Sequence, residues 1–156
     1  MFNCCFSKKL FQRRRKSVTN TELESMNDAP KFSLEKYRLN CKAVDVYDGD
    51  TITVIFPFAG GYFKHKLRLA GIDTPEIRTK NAKEKVAGIK ARNWLRSQIL
   101  HKIIHVVFTK EDKYGRLMGW IYRDIRHQSK SINQELIDMK MAYAYNGKKK
   151  QEFGTW

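Results

Sequence analysis

From Tyr37 to Arg123 the chain carries five β-forming runs, and one helical run interrupts them after the third. That order leaves few architectures open. In Thr51–Phe58, Ile52, Val54 and Phe56 recur with period two, the mark of a half-buried strand. Tyr62–Ala70 sets Phe63, His65, Leu67 and Leu69 against Tyr62, Lys64, Lys66 and Arg68, so that its second face is basic. Pro57 and Ala59-Gly60-Gly61 predict a hairpin between the two runs.

The other elements follow from similar signals. Tyr37–Tyr47 is β-rich, Lys102–Thr109 reads as a buried strand, Lys110–Gly115 as a turn and Arg116–Arg123 as a further strand. Gly71–Lys80, broken by Pro75, reads as a loop. Ala82–Leu100 is helical, with Val86, Ile89, Asn93, Trp94 and Ile99 near helical spacing. Ile132–Met141 is a short helix with Ile132, Leu136 and Met139/Met141 on one side. The order β-β-β-α-β-β-α predicts an α+β fold that is mainly β. It is a five-stranded OB-fold barrel with a helix after strand 3 and a short helix after strand 5.

Charge narrows the choice of partner. The net charge is +15. Residues 1–21 hold six of the basic residues and no acid, which leaves +9 on residues 22–156. Such a field favours a polyanion, either nucleic acid or an anionic membrane surface. Residues 1–35 read as a basic leader, expected to be disordered, in which Lys8–Lys16 follows Cys4 and Cys5. Two acylatable cysteines beside a polybasic run give a second reading of the leader, a reversible membrane anchor. Phe2 stands where N-myristoylation requires glycine. No run approaches the roughly 18 apolar residues of a membrane span, and no secretory signal peptide is expected. Cys4, Cys5 and Cys41 make neither a disulfide framework nor a zinc site, which points to a reducing, intracellular compartment, cytoplasmic or nuclear. His65, His101, His105 and His127 have no metal-like spacing. Trp94 and Trp120 are expected in the core, while Tyr62 and Tyr122 are candidates to stack on exposed bases.

Three short pieces concentrate polar groups at element boundaries: Asp48-Gly49-Asp50-Thr51, Arg68 through Glu76 (RLAGIDTPE), and Asp112-Lys113-Tyr114-Gly115-Arg116. Singly, each is an ordinary turn or cap signal. Together and in this order they resemble the signature of the staphylococcal nuclease (thermonuclease) family, and the resemblance runs from about Lys36 to Ala142. It implies a nuclease domain over residues 36–146 followed by a short tail, 147–156. The implied activity is calcium-dependent hydrolysis of phosphodiester bonds in DNA or RNA, with little sequence specificity and a preference for single-stranded or fraying regions. A monomer is expected.

The chemistry of these side chains agrees with that implication. Attack on a phosphodiester gathers negative charge on the non-bridging oxygens and calls for a cation, rigid donors and a positioned water. Asp50, Asp73 and the carbonyl of Thr74 offer hard oxygen ligands, which suit Ca2+ better than zinc. Asp48 stands behind Asp50 across the turn glycine. Glu76 corresponds to the family residue that orients or deprotonates the attacking water. Arg68 and Arg116 present forked guanidinium donors to the phosphate. Lys113 and Tyr114 match family residues that contact a terminal phosphate.

The sequence departs from the family at two places. Lys140-Met141-Ala142 stands where the family has Gly-Leu-Ala, so a lysine occupies the expected left-handed cap. The third family helix is expected to be missing or reduced to Lys148–Trp156, with Phe153 and Trp156 covering part of the barrel. Two other readings stay open: a non-catalytic nucleic-acid-binding OB module, and a membrane-surface adaptor.

Overall fold

The computed structural model describes residues 20–29, 31–124 and 130–156. The chain divides into two units, Met1–Phe32 and Ser33–Trp156. Cys4, Cys5, the Lys8–Lys16 run and His127 lie outside the described residues. The first unit contains a short helix, α1 (Asn20–Glu24). Among the described residues no helix is long and apolar enough to cross a membrane.

The second unit is the expected barrel. Its strands are β1 (Arg38–Val46), β2 (Thr51–Phe58), β3 (Gly61–Leu69), β5 (Ile103–Thr109) and β6 (Leu117–Tyr122). They close in the order β1-β2-β3-β6-β5. Period two becomes packing: Ile52, Val54 and Phe56 of β2 point inward with Leu67, Leu69, Val106, Phe108 and Ile121. Closure depends on a short parallel contact, Leu67–Leu69 of β3 against Leu117–Gly119 of β6. The alternation read along β3 therefore holds only for its second half. Leu67 and Leu69 are buried, whereas Phe63 and His65 are exposed. The β3–β6 pairing stops at Leu67, so the outer part of the β2–β3 hairpin has no barrel wall to cover it.

The helix α2 (Ala82–Ile99) starts at Asn81, whose side chain accepts hydrogen bonds from the N–H groups of Lys83 and Glu84. Its buried face is Gly88, Ala91, Leu95 and Ile99, not the expected stripe of Val86, Ile89, Asn93, Trp94 and Ile99. Val86 is exposed, and Trp94 is half-buried against the core. Small residues on the inner face let the helix backbone lie close to the chain beneath it. A Cβ at Gly88 would stand 2.5 Å from the carbonyl oxygen of Pro75. Trp120 is likewise only half-buried, its ring packed against Gly71.

Residues 71–80, expected as a loop throughout, contain a two-residue strand. This β4 (Ile72–Asp73) pairs antiparallel with β7 (Tyr143–Ala144). Between them in sequence lies α3 (Ile132–Asp138), capped by Ser131. Asn133 is fully buried and ties α3 to two backbone segments, the end of β3 and β6. It donates to the carbonyls of Ala70 (2.8 Å) and Gly119 (3.2 Å) and accepts from Ile121 N–H (3.0 Å). No helix is found in residues 148–156.

The end of α3 has the geometry that the sequence suggested. Lys140 has φ 53, and the N–H groups of Lys140 and Met141 donate to the carbonyls of Ile137 and Leu136, both at 2.9 Å. This is a Schellman cap with lysine at the left-handed position. Lys140→Gly should therefore stabilise the protein by about 1 kcal/mol. A thermal melt should show a midpoint roughly 3 °C higher.

Candidate active site

The barrel register sets the centre of the site. Thr51 of β2 pairs with Arg68 of β3, which puts Asp50, one residue before β2, beside the Arg68 side chain. The Asp48–Asp50 turn is closed by a hydrogen bond from Asp50 N–H to Asp48 Oδ1 (3.1 Å). Asp73 arrives from the other direction, on β4, and its backbone is fixed by pairing with Tyr143. The guanidinium of Arg68 joins the two acids. Nη1 donates to Asp50 Oδ1 at 2.7 Å and Nη2 to Asp73 Oδ1 at 2.5 Å. The side chains of Arg68, Asp50 and Asp73 are 11%, 5% and 4% exposed.

Two carboxylates thus share one arginine in a poorly hydrated place. Burial first, and then the nearby Asp48 and Asp73, raise the Asp50 carboxyl against the pull of Arg68 and the Thr51 hydroxyl, and the balance leaves it at about 7. Burial also works against the charged form of Arg68, but Asp50 and Asp73 outweigh it and hold the guanidinium above its ordinary value.

Two residues that sequence reasoning assigned no role complete the surroundings of Asp73. Tyr143 Oη donates to Asp73 Oδ2 at 2.8 Å. Lys150 Nζ lies 3.2 Å from the same oxygen and 2.7 Å from Glu76 Oε1. The tail that carries Lys150 is tied to the site by Gln151 N–H, which donates to Tyr143 Oη (3.1 Å), and by Trp156, whose ring lies 5.0 Å from that of Tyr143. Lys150 sits in the run Lys148-Lys149-Lys150, which by composition reads as a solvated tail. Only the fold brings it to acids more than seventy positions away.

Glu76 is exposed at the start of the loop leading to α2, and its N–H donates to Glu84 Oε1 (3.3 Å) in the first turn of that helix. The close contact of Gly88 with Pro75 fixes the same loop from below. Gly88→Ala places a methyl 2.5 Å from a backbone oxygen and 3.2 Å from Ile77 Cγ1, so the Pro75–Ile77 segment must shift. A loss of about 1–3 kcal/mol in chemical denaturation is expected. Turnover should drop about 10²-fold, because displacements near 1 Å cost that much.

The third polar piece forms a turn organised by Asp112. Its Oδ1 accepts the N–H groups of Tyr114 and Arg116, both at 2.9 Å, and its Oδ2 accepts Arg116 Nε at 2.5 Å. Burial pushes the Asp112 carboxyl up, but these hydrogen bonds outweigh it and hold the group below its usual range. The Arg116 guanidinium lies 5.4 Å from the Tyr114 ring centroid, and Lys113 Nζ lies 5.0 Å from the same point.

Arg68, Glu76, Lys113, Tyr114, Arg116 and Lys150 all line one open basin of about 760 Å³. Asp50 and Asp73 sit behind Arg68, and Thr74 is buried next to Asp73. Arg116 pairs with Asp112, not with the acids that hold Arg68. Among the described residues no group of three His, Cys, Asp or Glu side chains converges on a metal-sized position. The donor set nevertheless fits a hard cation. Two buried carboxylates, Asp50 and Asp73, converge on the Arg68 guanidinium, and Asp73 with Glu76 converges on a second positive charge, the Lys150 ammonium.

The model of the staphylococcal nuclease homologue family matches residues 66–155. The chain belongs to this family. An uncharacterized endonuclease of Haemophilus influenzae is 31% identical over 105 residues, covering 67% of this chain and 52% of the relative. Endonuclease Htp3 of Saprolegnia parasitica is 30% identical over 133 residues, covering 78% of this chain and 63% of the relative. A protein of Methanocaldococcus jannaschii, MJ1439, is 31% identical over 134 residues, covering 72% and 63%. The chain thus spans between half and two thirds of the length of these relatives. The match includes Arg68, Asp73, Glu76, Arg116 and the tail that carries Lys150, whereas Asp50 precedes it.

Proposed function

We propose that this staphylococcal nuclease homologue is a calcium-dependent nuclease that hydrolyses phosphodiester bonds in nucleic acid with little sequence preference. The observation that carries the reading is the cluster of Arg68 with Asp50 and Asp73 at the back of a basin rimmed by Glu76, Arg116, Lys113 and Tyr114. A barrel that only bound polyanions would gain nothing from burying two acids there, since carboxylates in a phosphate site repel the ligand. Both relatives named endonucleases point the same way.

Each side chain then has a task. Asp50, Asp73 and the Thr74 carbonyl would hold the calcium ion, which would polarise a phosphoryl oxygen when bound. Arg68, on release from Asp50 and Asp73, and the half-exposed Arg116 offer forked donors to the non-bridging oxygens, where charge accumulates in the transition state. Glu76 takes the proton of the attacking water. For that it must release Lys150, whose ammonium otherwise holds the carboxylate. Lys113 and Tyr114 steady the neighbouring phosphate. None of these groups reads a base edge, which is consistent with low specificity.

The test is to incubate single-stranded DNA, double-stranded DNA and RNA with the protein and calcium, and to resolve products by length and by 3′- or 5′-phosphate. The reading requires a ladder of internal products, formed fastest from single strands. Retention of intact strands in a bound complex would identify a binding module instead.

A further inference from the structure

A second, smaller groove leaves the basin at Tyr47. It has a volume of about 230 Å³ and is lined by Tyr47, Asp48, Glu76, Ile77, Arg78 and Arg92. Tyr47, Asp48 and Glu76 line both spaces, so the groove continues the basin directly. Tyr47 is the residue between β1 and the Asp48 turn, and it is 43% exposed. Two cations attend its ring: Lys66 Nζ lies 5.4 Å and Arg78 Cζ 5.3 Å from its centroid. Arg92, on the helix face that carries Gly88, has its guanidinium held, among the described residues, by the neutral side chain of Asn93.

The electrostatics of this corner are unbalanced. Among the described residues no carboxylate forms an ion pair with Lys66, Arg78 or Arg92. The two acids of the groove are already engaged, Asp48 with the N–H of Asp50 and Glu76 with Lys150. Like charges gathered around one aromatic ring repel each other, and an entering anion relieves that repulsion. An aromatic ring beside unpaired arginines is the combination that holds a nucleic-acid single strand, the ring taking a base and the arginines its phosphate.

We propose that this groove is an extended subsite for the nucleic-acid strand, resting on the nuclease reading above. The strand runs from the cleavage position over Tyr47, a flanking base stacks on that ring, and the next phosphates lie against Arg78 and Arg92. Such a subsite would favour flexible strands, since a paired base has no face free for Tyr47.

The test compares a thymidine dinucleotide with an oligothymidylate of about ten residues, within the range that one OB barrel covers. Affinity is read by fluorescence anisotropy in EGTA over a salt series, and cleavage is read with calcium. The wild type should bind the longer strand more tightly than the dinucleotide. The double variant Arg78→Ala/Arg92→Ala should lose about tenfold or more of that gain. Its salt slope on the longer strand should fall by about 1.4, from roughly 0.7 for each phosphate contact removed. Its cleavage of the dinucleotide should stay at the wild-type rate, which also certifies that it is folded. Tyr47→Leu should weaken the longer strand about tenfold, and Tyr47→Phe should restore it. A double variant that keeps the length gain and the salt slope overturns the subsite while leaving the nuclease reading intact. A wild type that cleaves neither strand overturns both.

Discussion

Glu76→Gln should lower the turnover of denatured DNA by about 10²–10⁴, the usual share of a positioned general base. Little else should change. The Glu76 side chain is 55% exposed, so stability should stay within about 0.5 kcal/mol. The amide oxygen of glutamine can still accept from Lys150, so the tail stays in place. The substitution removes the charge of the carboxylate and with it the capacity to take a proton. Strand affinity measured in EGTA should match the wild type, and kcat should carry nearly the whole loss. A variant with wild-type kcat would strip Glu76 of its role.

Arg68→Lys should be equally damaging for a different reason. The charge is conserved, but the geometry is not. Arg68 reaches Asp50 with one terminal nitrogen and Asp73 with the other, and a single ammonium cannot meet both carboxylates in the same way. One acid is left buried without its partner, at a cost of about 1–3 kcal/mol in urea unfolding. The remaining ammonium offers the phosphate no fork, and turnover should fall about 10²–10³. Unchanged kinetics would mean that Arg68 merely neutralises the acids and never grips the substrate.

The two substitutions separate what was legible in the sequence from what was not. The barrel could be read because alternation in β2 and the second half of β3 records which side faces inward. Asp50, Arg68 and Asp73 stood out because polar residues crowd the ends of apolar strands, where packing has no use for them. Strand pairing does the rest, since Thr51 opposite Arg68 fixes the neighbourhood of Asp50. The buried face of α2 escaped because Gly88 and Ala91 carry almost no hydrophobic signal, although they govern how near the helix lies to the loop holding Glu76. β4 and β7 escaped because two residues have no period, although that pair aligns Tyr143 with Asp73. Lys150 was hidden in a basic run, and its partnership with Glu76 is a long-range property of the folded chain. Asp112 was noticed as part of a turn, but its task of aiming Arg116 required coordinates.

The same contrast explains how a helix-poor end of the chain serves the site. Residues 148–156 form no helix, yet Trp156 on the Tyr143 ring and Gln151 on its hydroxyl hold the segment against Asp73. The tail thereby places the Lys150 ammonium 2.7 Å from Glu76 Oε1.

The most direct measurement is the rate at which purified protein converts denatured DNA to acid-soluble fragments, with calcium and then with excess EGTA. Rapid release with calcium, abolished by EGTA and restored by adding the ion back, is the outcome required by acids gathered around Arg68. Strands that stay intact under both conditions, although the protein binds them, would contradict it.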